Sequence, residues 1–453
     1  MRLELQTLLL TALCAAGCAA PTDGGAIGVD VAAQKTKPGS VTTDDAVGQS
    51  STAAPSAIDL TASNDFFHVF GTNGRTCGTC HKVDQGWSFT PAAASKLPAT
   101  DPLFVLDGSD CLAPGQANPN PATSSKALLH NGLIRVEIPI PQGADFTLAS
   151  YTDPLGCPTS PLTTGVLRMY RRPVPSANSA FSITIMWDGR EPSLASQAND
   201  ATLGHAQALL PLLDPHLTSV VAFESGTVNA QSSVGSSPAI KLGNGGVDGG
   251  ADYLRDSVAP SFFPGINDSL SPGFSPVIFT LYQKWESSTE QGQDAKAAIG
   301  RGEALFNSRA FTISGIRGLN DREGVPASFT GTCGTCHDTP NVGNHSKALA
   351  LDIGVTAPSP IGLDVALLPT YTFVSGSRTI TVTDPGRGLI SGSFDDLGKT
   401  KGPILRGLAA RAPYFHNGSA RDLATLVDFY DVRFGMGLSA GEKSDLVAFL
   451  NAL

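Results

Sequence analysis

The pentapeptide Cys-Gly-Thr-Cys-His occurs twice, at Cys77-Gly78-Thr79-Cys80-His81 and at Cys333-Gly334-Thr335-Cys336-His337. Each copy is C-x-x-C-H, the attachment pattern for a c-type haem. Both thiols can form thioethers to the porphyrin vinyl groups, and the adjacent histidine can reach the iron. A zinc site would gather four ligands in one place, whereas these groups stand in opposite halves of the chain. A redox dithiol has no need of the histidine. The chain therefore has to fold around two covalently bound haem c groups, with His81 and His337 as the proximal metal ligands.

The chain has 453 residues, enough for two or three domains. Forty acidic against thirty basic residues give a net charge of -10, which argues against nucleic acid, where a basic face is the usual footprint. Charged residues are sparse while 49 Gly and 32 Pro are present, a composition suited to long loops and short helices. Leu8 to Ala16 is an apolar run too short to span a bilayer, and it ends at Gly17-Cys18. Ala15-Ala16-Gly17-Cys18 resembles a bacterial lipobox, so a lipid anchor through Cys18 is expected, with cleavage near Ala20 as the alternative. The expected location is the periplasm or cell envelope. Cys14 falls in the signal and four cysteines carry haem. Cys111 and Cys157 remain, to pair as a disulfide or to stay as two buried thiols.

Five stretches are expected. Residues 1–18 are the signal peptide, 19–58 a disordered tether, 59–225 an N-terminal haem c domain, 226–290 a Gly/Ser-rich linker or loop, and 291–453 a C-terminal cytochrome c domain. Leu133 to Ile140 and Phe181 to Met186 look β-prone. Apolar periodicity predicts a helix over Ala295 to Phe306 and another over Gly441 to Leu453, capped by Ser439. The second half resembles a class I cytochrome c, in which such helices cross beside the haem. The expected fold class is mainly α: two class I cytochrome c-like haem domains with extended loops, and a few short strands in the first.

Two further blocks carry a family resemblance. Trp187-Asp188-Gly189-Arg190-Glu191-Pro192-Ser193-Leu194, followed by Gln197, resembles the W-D-G-R-x-x-S-L-x-x-Q block of bacterial di-haem cytochrome c peroxidases. Ala412-Pro413-Tyr414-Phe415-His416-Asn417-Gly418-Ser419 resembles their A-P-Y-F-H-D/N-G-S block. Asp384-Pro385-Gly386-Arg387 and Leu405-Arg406 also match, and the resemblance runs from about Asp59 to Leu453. It implies peroxide chemistry at the N-terminal, peroxidatic haem of His81, and electron entry through the C-terminal haem of His337. It places Trp187 between the haems and Gln197 on the distal side. The family's acid–base Glu falls at Gln207, which cannot carry a proton at neutral pH. His205, two residues earlier, is a competent base or a second ligand for the His81 iron, with a backbone-bonded helix histidine as the bland alternative.

On the second haem the family's axial Met falls at Tyr430. A tyrosine there resembles the di-haem enzyme that completes the tryptophan tryptophylquinone cofactor of methylamine dehydrogenase, and a phenolate would lower the potential. Met436 is the competing ligand. The switching histidine of the short peroxidases falls at Leu97, so no such switch is expected. The resemblance implies an interdomain Ca2+ held by backbone carbonyls, although Arg411 replaces a nearby Thr. His416 is expected near the second haem, and His68, His130, His216 and His345 on the surface or in polar networks. Lys399, Lys401, Arg406 and Arg411 are expected on a solvated face, with guidance of an acidic donor as the other reading.

The resemblance thus implies a peroxidase-like oxidoreductase that uses H2O2 and a small redox donor. The alternatives are an electron-transfer protein with two closed haems, or a di-haem oxidase that acts on a protein or organic substrate.

Overall fold

The structure is a computed structural model and describes residues 39–288 and 294–453. The signal, the lipobox-like stretch and Cys18 lie outside these residues. The two helices expected in the second half are present as Asp294–Ser308 and Ala440–Asn451. Ser439 caps the second, accepting from the backbone N–H of Glu442, whose side chain returns to the Ser439 N–H. The helices cross at Gly302, where a Cβ would run into the carbonyl of Asp445 and the Cβ of Phe449.

The expectation of a mainly α fold is overturned. The structure is 30% helical and 17% strand, with five sheets among the described residues. Gly and Pro cut most helices to one or two turns. Runs rich in Thr, Val, Ile and aromatics, such as Thr370–Ser375, pair instead as strands. Strands are not confined to the first half, and the halves do not separate into two class I cytochrome domains. Thr147–Thr152 of the first half pairs antiparallel with Thr370–Ser375 of the second, which also pairs with Arg378–Val382. Behind this sheet Phe146, Leu167, Met169, Tyr371 and Phe373 form one buried cluster. Ile134–Pro139 is a strand as expected, paired with Val166–Arg171. Phe181–Met186 is not; it follows a single 3-10 turn, Ser179–Phe181.

Two segments read as unstructured are built into a sheet. Ser40–Asp44 and Gly48–Ala53, assigned to the tether, form a hairpin that pairs with Val228–Val234, assigned to the linker. Polar composition misled because this sheet buries polar side chains and pairs them. Asn229 Nδ2 donates to Ser50 Oγ at 2.8 Å and to Thr52 Oγ1 at 3.1 Å. The Gln231 N–H donates to the carbonyl of Leu453 at 3.3 Å, so the same strand holds the C-terminus. Cys111 and Cys157 form a disulfide. No helix of the described residues is long and apolar enough to cross a membrane.

The crossing at Gly302 makes a test. Alanine gains about 1 kcal/mol of helix propensity, but overpacking against a fixed backbone carbonyl costs about 1–3 kcal/mol. Gly302→Ala should therefore lower the urea midpoint of the holoprotein. An unchanged or higher midpoint would show that the helices can move apart at no cost.

Candidate active site: two cavities joined by a buried ion cluster

Each motif sits in the same local device. Cys77–Cys80 forms one helical turn and Cys333–Thr335 a 3-10 turn. Thr76 and Thr79 cap the first reciprocally, and Thr332 and Thr335 cap the second in the same way. Glycine fits a tight space at the second motif position. A Cβ at Gly78 would strike the ring of Phe67, and one at Gly334 would strike Ile278 and the carbonyl of Pro276. The histidines are oriented identically. His81 Nδ1 donates to the carbonyl of Trp87 at 2.9 Å, and His337 Nδ1 to that of Gly343 at 2.7 Å. This leaves each Nε2 as the free acceptor, the arrangement a metal-ligating histidine needs. Burial pushes the His81 imidazole down to about 4, so it is neutral at pH 7.

The hairpin contributes here. Thr52 Oγ1 accepts from Trp87 Nε1 at 2.8 Å, fixing the residue whose carbonyl fixes His81. Behind the histidines the halves repeat one motif. Phe66 lies 6.1 Å from His81 and 4.3 Å from Phe223; Phe306 lies 6.0 Å from His337 and 5.7 Å from Phe449.

Cys77, Cys80 and His81 open on a cavity of about 1260 Å³, and Cys333, Cys336 and His337 on one of about 1600 Å³, both counted with their mouths. Removal from water pushes the thiols up, to about 12 for Cys77, Cys333 and Cys336 and about 11 for Cys80. They stay protonated at neutral pH, unlike the thiolates of zinc sites or redox dithiols. A large apolar cavity, two neutral thiols and a histidine with a free Nε2 fit a covalently held haem in each half.

Trp187 lines both cavities, and its Nε1 donates to the carbonyl of Arg172 at 2.7 Å. Beside it the three resembling blocks meet in one buried ion cluster. Arg171 donates to both carboxylate oxygens of Asp384, at 2.7 and 2.8 Å, and to Asp188 at 2.5 Å. Arg190 Nη1 lies 3.1 Å from Asp188, and His416 Nε2 3.5 Å from Asp384. Burial opposes ionisation of both acids, but Arg171 outweighs it and holds each below the usual carboxylate range.

The first cavity wall includes Gln197 and His205, but not Gln207. Gln207 follows the helix Leu194–Gly204 in a left-handed conformation, and its carbonyl accepts from the Thr72 N–H at 3.3 Å. His205 Nδ1 bonds Asp107, whose other oxygen pairs with Arg75. Arg75 is itself anchored on the carbonyls of Pro102, Leu103 and Val105. Asp107 lies below the ordinary range: burial raises it, and Arg75 and His205 together outweigh burial. This Arg75–Asp107 support was not legible in the sequence, since Asp107 lies in a loop without a motif.

The second cavity wall includes Tyr430, Met436 and His416. Tyr430 stacks on Phe434 at 6.0 Å, and burial pushes its phenol up. Two expectations need correction, for His345 and for the basic cluster. His345 is buried in the second cavity wall with Nδ1 unpartnered, not on the surface. His68 is exposed, as expected, and also borders the mouth of the first cavity. Lys399, Lys401, Arg406 and Arg411 are all buried, because each donates to backbone or carboxylate oxygens inside the fold. His130 and His216 are exposed partners of Asp364 and Asp65. Leu97 packs in an apolar cluster with Phe89 and Leu103.

No family model matches the chain. Over 78 residues it is 45% identical to cytochrome-c peroxidase IdrP2 of Denitromonas iodatirespirans, covering 16% of this chain and 21% of that protein. Over 296 residues it is 23% identical to cytochrome-c peroxidase IdrP1 of the same organism, covering 61% and 66%. The chain is thus similar, in part of its length, to proteins named cytochrome-c peroxidase. Its matches span about a fifth of the first two curated relatives and about two thirds of the third. A solved structure described as a MauG-like protein associated with microbial copper homeostasis is 18% identical, covers 63% of this chain and 74% of that one, and superposes with a TM-score of 0.32. That likeness is too loose to carry the fold. Haem c is the cofactor that similarity to these relatives implies.

Within the first cavity, Glu224 is unexpected. It lines the first cavity directly after Phe223, as Leu450 lines the second directly after Phe449. Its Oε2 has no partner, and burial pushes the carboxyl from near 4.5 up to about 8. Between those values the folded chain keeps a proton that the unfolded chain has released. The contribution of Glu224 to stability is therefore complete below about pH 4.5 and lost as pH rises through about 8. Melting temperatures across this range should fall more steeply with pH for the wild type than for Glu224→Gln. Equal slopes would remove the unpaired, protonated carboxyl.

Proposed function

We propose that the chain is a di-haem c oxidoreductase of the cell envelope that reduces H2O2 at the His81 cavity, with electrons from a small redox donor entering through the His337 cavity. The observation that carries this reading is His205. Its Nδ1 is pinned by a buried carboxylate while the residue forms part of the first cavity wall. A ring held in this way can take and return one proton at Nε2.

When bound, the haem supplies an iron that takes peroxide and passes electrons. The rest is the work of the chain. Reduction of H2O2 to two waters consumes two electrons and two protons. His205 moves a proton between the two peroxide oxygens, from its Nε2. Gln197 donates from its amide and orients the oxidant. Asp107, held by Arg75, keeps the His205 ring in the required tautomer. Trp187 spans the wall between the cavities and serves as the stepping stone for electrons, its indole fixed by the Arg172 carbonyl. The two electrons come from the donor and the two protons from solvent, so the balance closes. An export-like N-terminus with Cys18 supports a lipid-anchored or periplasmic setting.

Two other readings have observations behind them. A histidine whose second nitrogen bonds a carboxylate is also how proteins present a metal ligand. In that case His205 closes the iron and the protein is an electron carrier. Tyr430 in the second cavity wall supports an oxidase that acts on a protein or organic substrate through a His/Tyr-ligated haem.

Low-temperature EPR of the as-isolated and half-reduced protein separates these. A high-spin ferric signal that peroxide consumes is expected, with turnover reduced about 10²–10⁴-fold in His205→Ala. Two low-spin signals that neither half-reduction nor peroxide moves would overturn the peroxidase reading. For the second cavity, Tyr430→Phe should lose phenolate-type charge-transfer features, and an unchanged spectrum would assign the position to Met436 or to no side chain.

A further inference from the structure

Three buried cations border the two cavities without a carboxylate in direct contact with them. Arg172 and Lys401 belong to both cavity walls, and Arg411 to the second. Their hydrogen-bond acceptors are neutral. Arg172 donates to the carbonyls of Gly132 at 2.9 Å and Arg411 at 3.1 Å, and to Ser88 Oγ at 3.4 Å. Arg411 donates to the carbonyls of Gly407, Ile404 and Arg406. Lys401 Nζ donates to the carbonyl of Thr184 at 2.8 Å. None of the three makes an ion pair among the described residues.

The contrast with Arg171, one residue before Arg172, is direct: Arg171 has Asp384 and Asp188, and Arg172 has no acid. Burial pushes Arg172 down to about 9, with Arg411 adding to the effect, and pushes Arg411 to about 10 and Lys401 to about 8. All three remain protonated at neutral pH. Buried charges in proteins are paired or neutralised, because an unanswered one is too costly to keep. Arg172 and Arg411 are answered by no acid of the chain, and Lys401 only by Asp188 from beyond ion-pair distance, so the cavity side of these cations can accept an anion.

We propose that the boundary between the two cavities is a carboxylate-binding site, in which Arg172, Arg411 and Lys401 pair with the propionates of the two haems, and that these side chains take the place of an interdomain divalent cation. This rests on the di-haem reading. It also argues against the expected Ca2+. The family resemblance puts that ion near residue 411, held by backbone carbonyls. Here the Arg411 carbonyl already accepts from the Arg172 guanidinium. An ion beside it would meet two positive side chains instead of acceptors.

The test uses the full holoprotein and begins with haem c content per chain by pyridine haemochrome. Fewer than two would sink the di-haem reading, and the inference with it. With two haems present, the wild type is dialysed against EGTA, assayed for calcium by mass spectrometry, then given CaCl2. No stoichiometric calcium is expected, and no change in EPR spectra or midpoint potentials on either treatment. Removal of a positive charge next to a propionate disfavours the reduced haem. Arg172→Gln should therefore shift both midpoint potentials negative, Arg411→Gln only that of the His337 haem, and Arg172→Lys should restore most of the shift. Bound calcium at one per chain whose removal moves the potentials would overturn the proposal. So would unchanged potentials in both glutamine variants. If Arg172→Gln fails to fold, Arg411→Gln and the calcium assay still decide it.

Discussion

Arg171 carries a guanidinium into a space closed to water, and three segments far apart in sequence close around it. The Asp384 carboxylate meets it in a two-point contact, Asp188 takes a third N–H, and Arg190 and His416 complete the group. Replacing such a cluster by apolar residues can be neutral. Removing one member strands a buried charge and costs about 3–5 kcal/mol. Its value is therefore more in specifying geometry than in net stability. Asp188 follows Trp187 directly, so the cluster sets the wall that both cavities share. Arg172 follows Arg171, so the same strand end delivers the next guanidinium to the cavities themselves.

Each cavity is arranged by a chain of small interactions that ends at one imidazole nitrogen. In the first half a threonine of the hairpin holds Trp87, and the Trp87 carbonyl holds His81. In the second half the Gly343 carbonyl does the same for His337. The halves differ in what faces the cofactor space. The first carries Gln197, the pinned His205 and the uncharged Glu224. The second carries Tyr430, Met436 and His416. One side thus presents an amide, an imidazole and a carboxyl, and the other a phenol, a thioether and an imidazole.

The cysteine–histidine motifs, the tryptophan between the cavities and the two long helices of the second half were legible in the sequence. Each depends on local pattern: a five-residue ligand spacing, a block of matching residues, or an apolar stripe of period 3.6. The sheets were not legible. Val228–Val234 looked like a linker because its side chains are polar, yet they are buried by pairing with Ser50 and Thr52 across the sheet. Burial of the Lys401 and Arg411 cluster was misread for a related reason, since a basic run looks solvated until its acceptors are known. Asp107 and Arg75 were invisible because neither belongs to a motif.

What the sequence alone determined is the chemistry available: four thiols and two histidines at fixed spacing, and a glutamine where the family has a carboxylate. Those facts are covalent and local, and no fold could change them. Only the tertiary structure decided which groups meet. It turned His205 towards the first cavity and Gln207 away from it, joined three distant blocks around Arg171, and left Arg172 and Arg411 buried without an acid. Such outcomes depend on desolvation and on contacts between residues hundreds of positions apart, and one-dimensional spacing does not encode them.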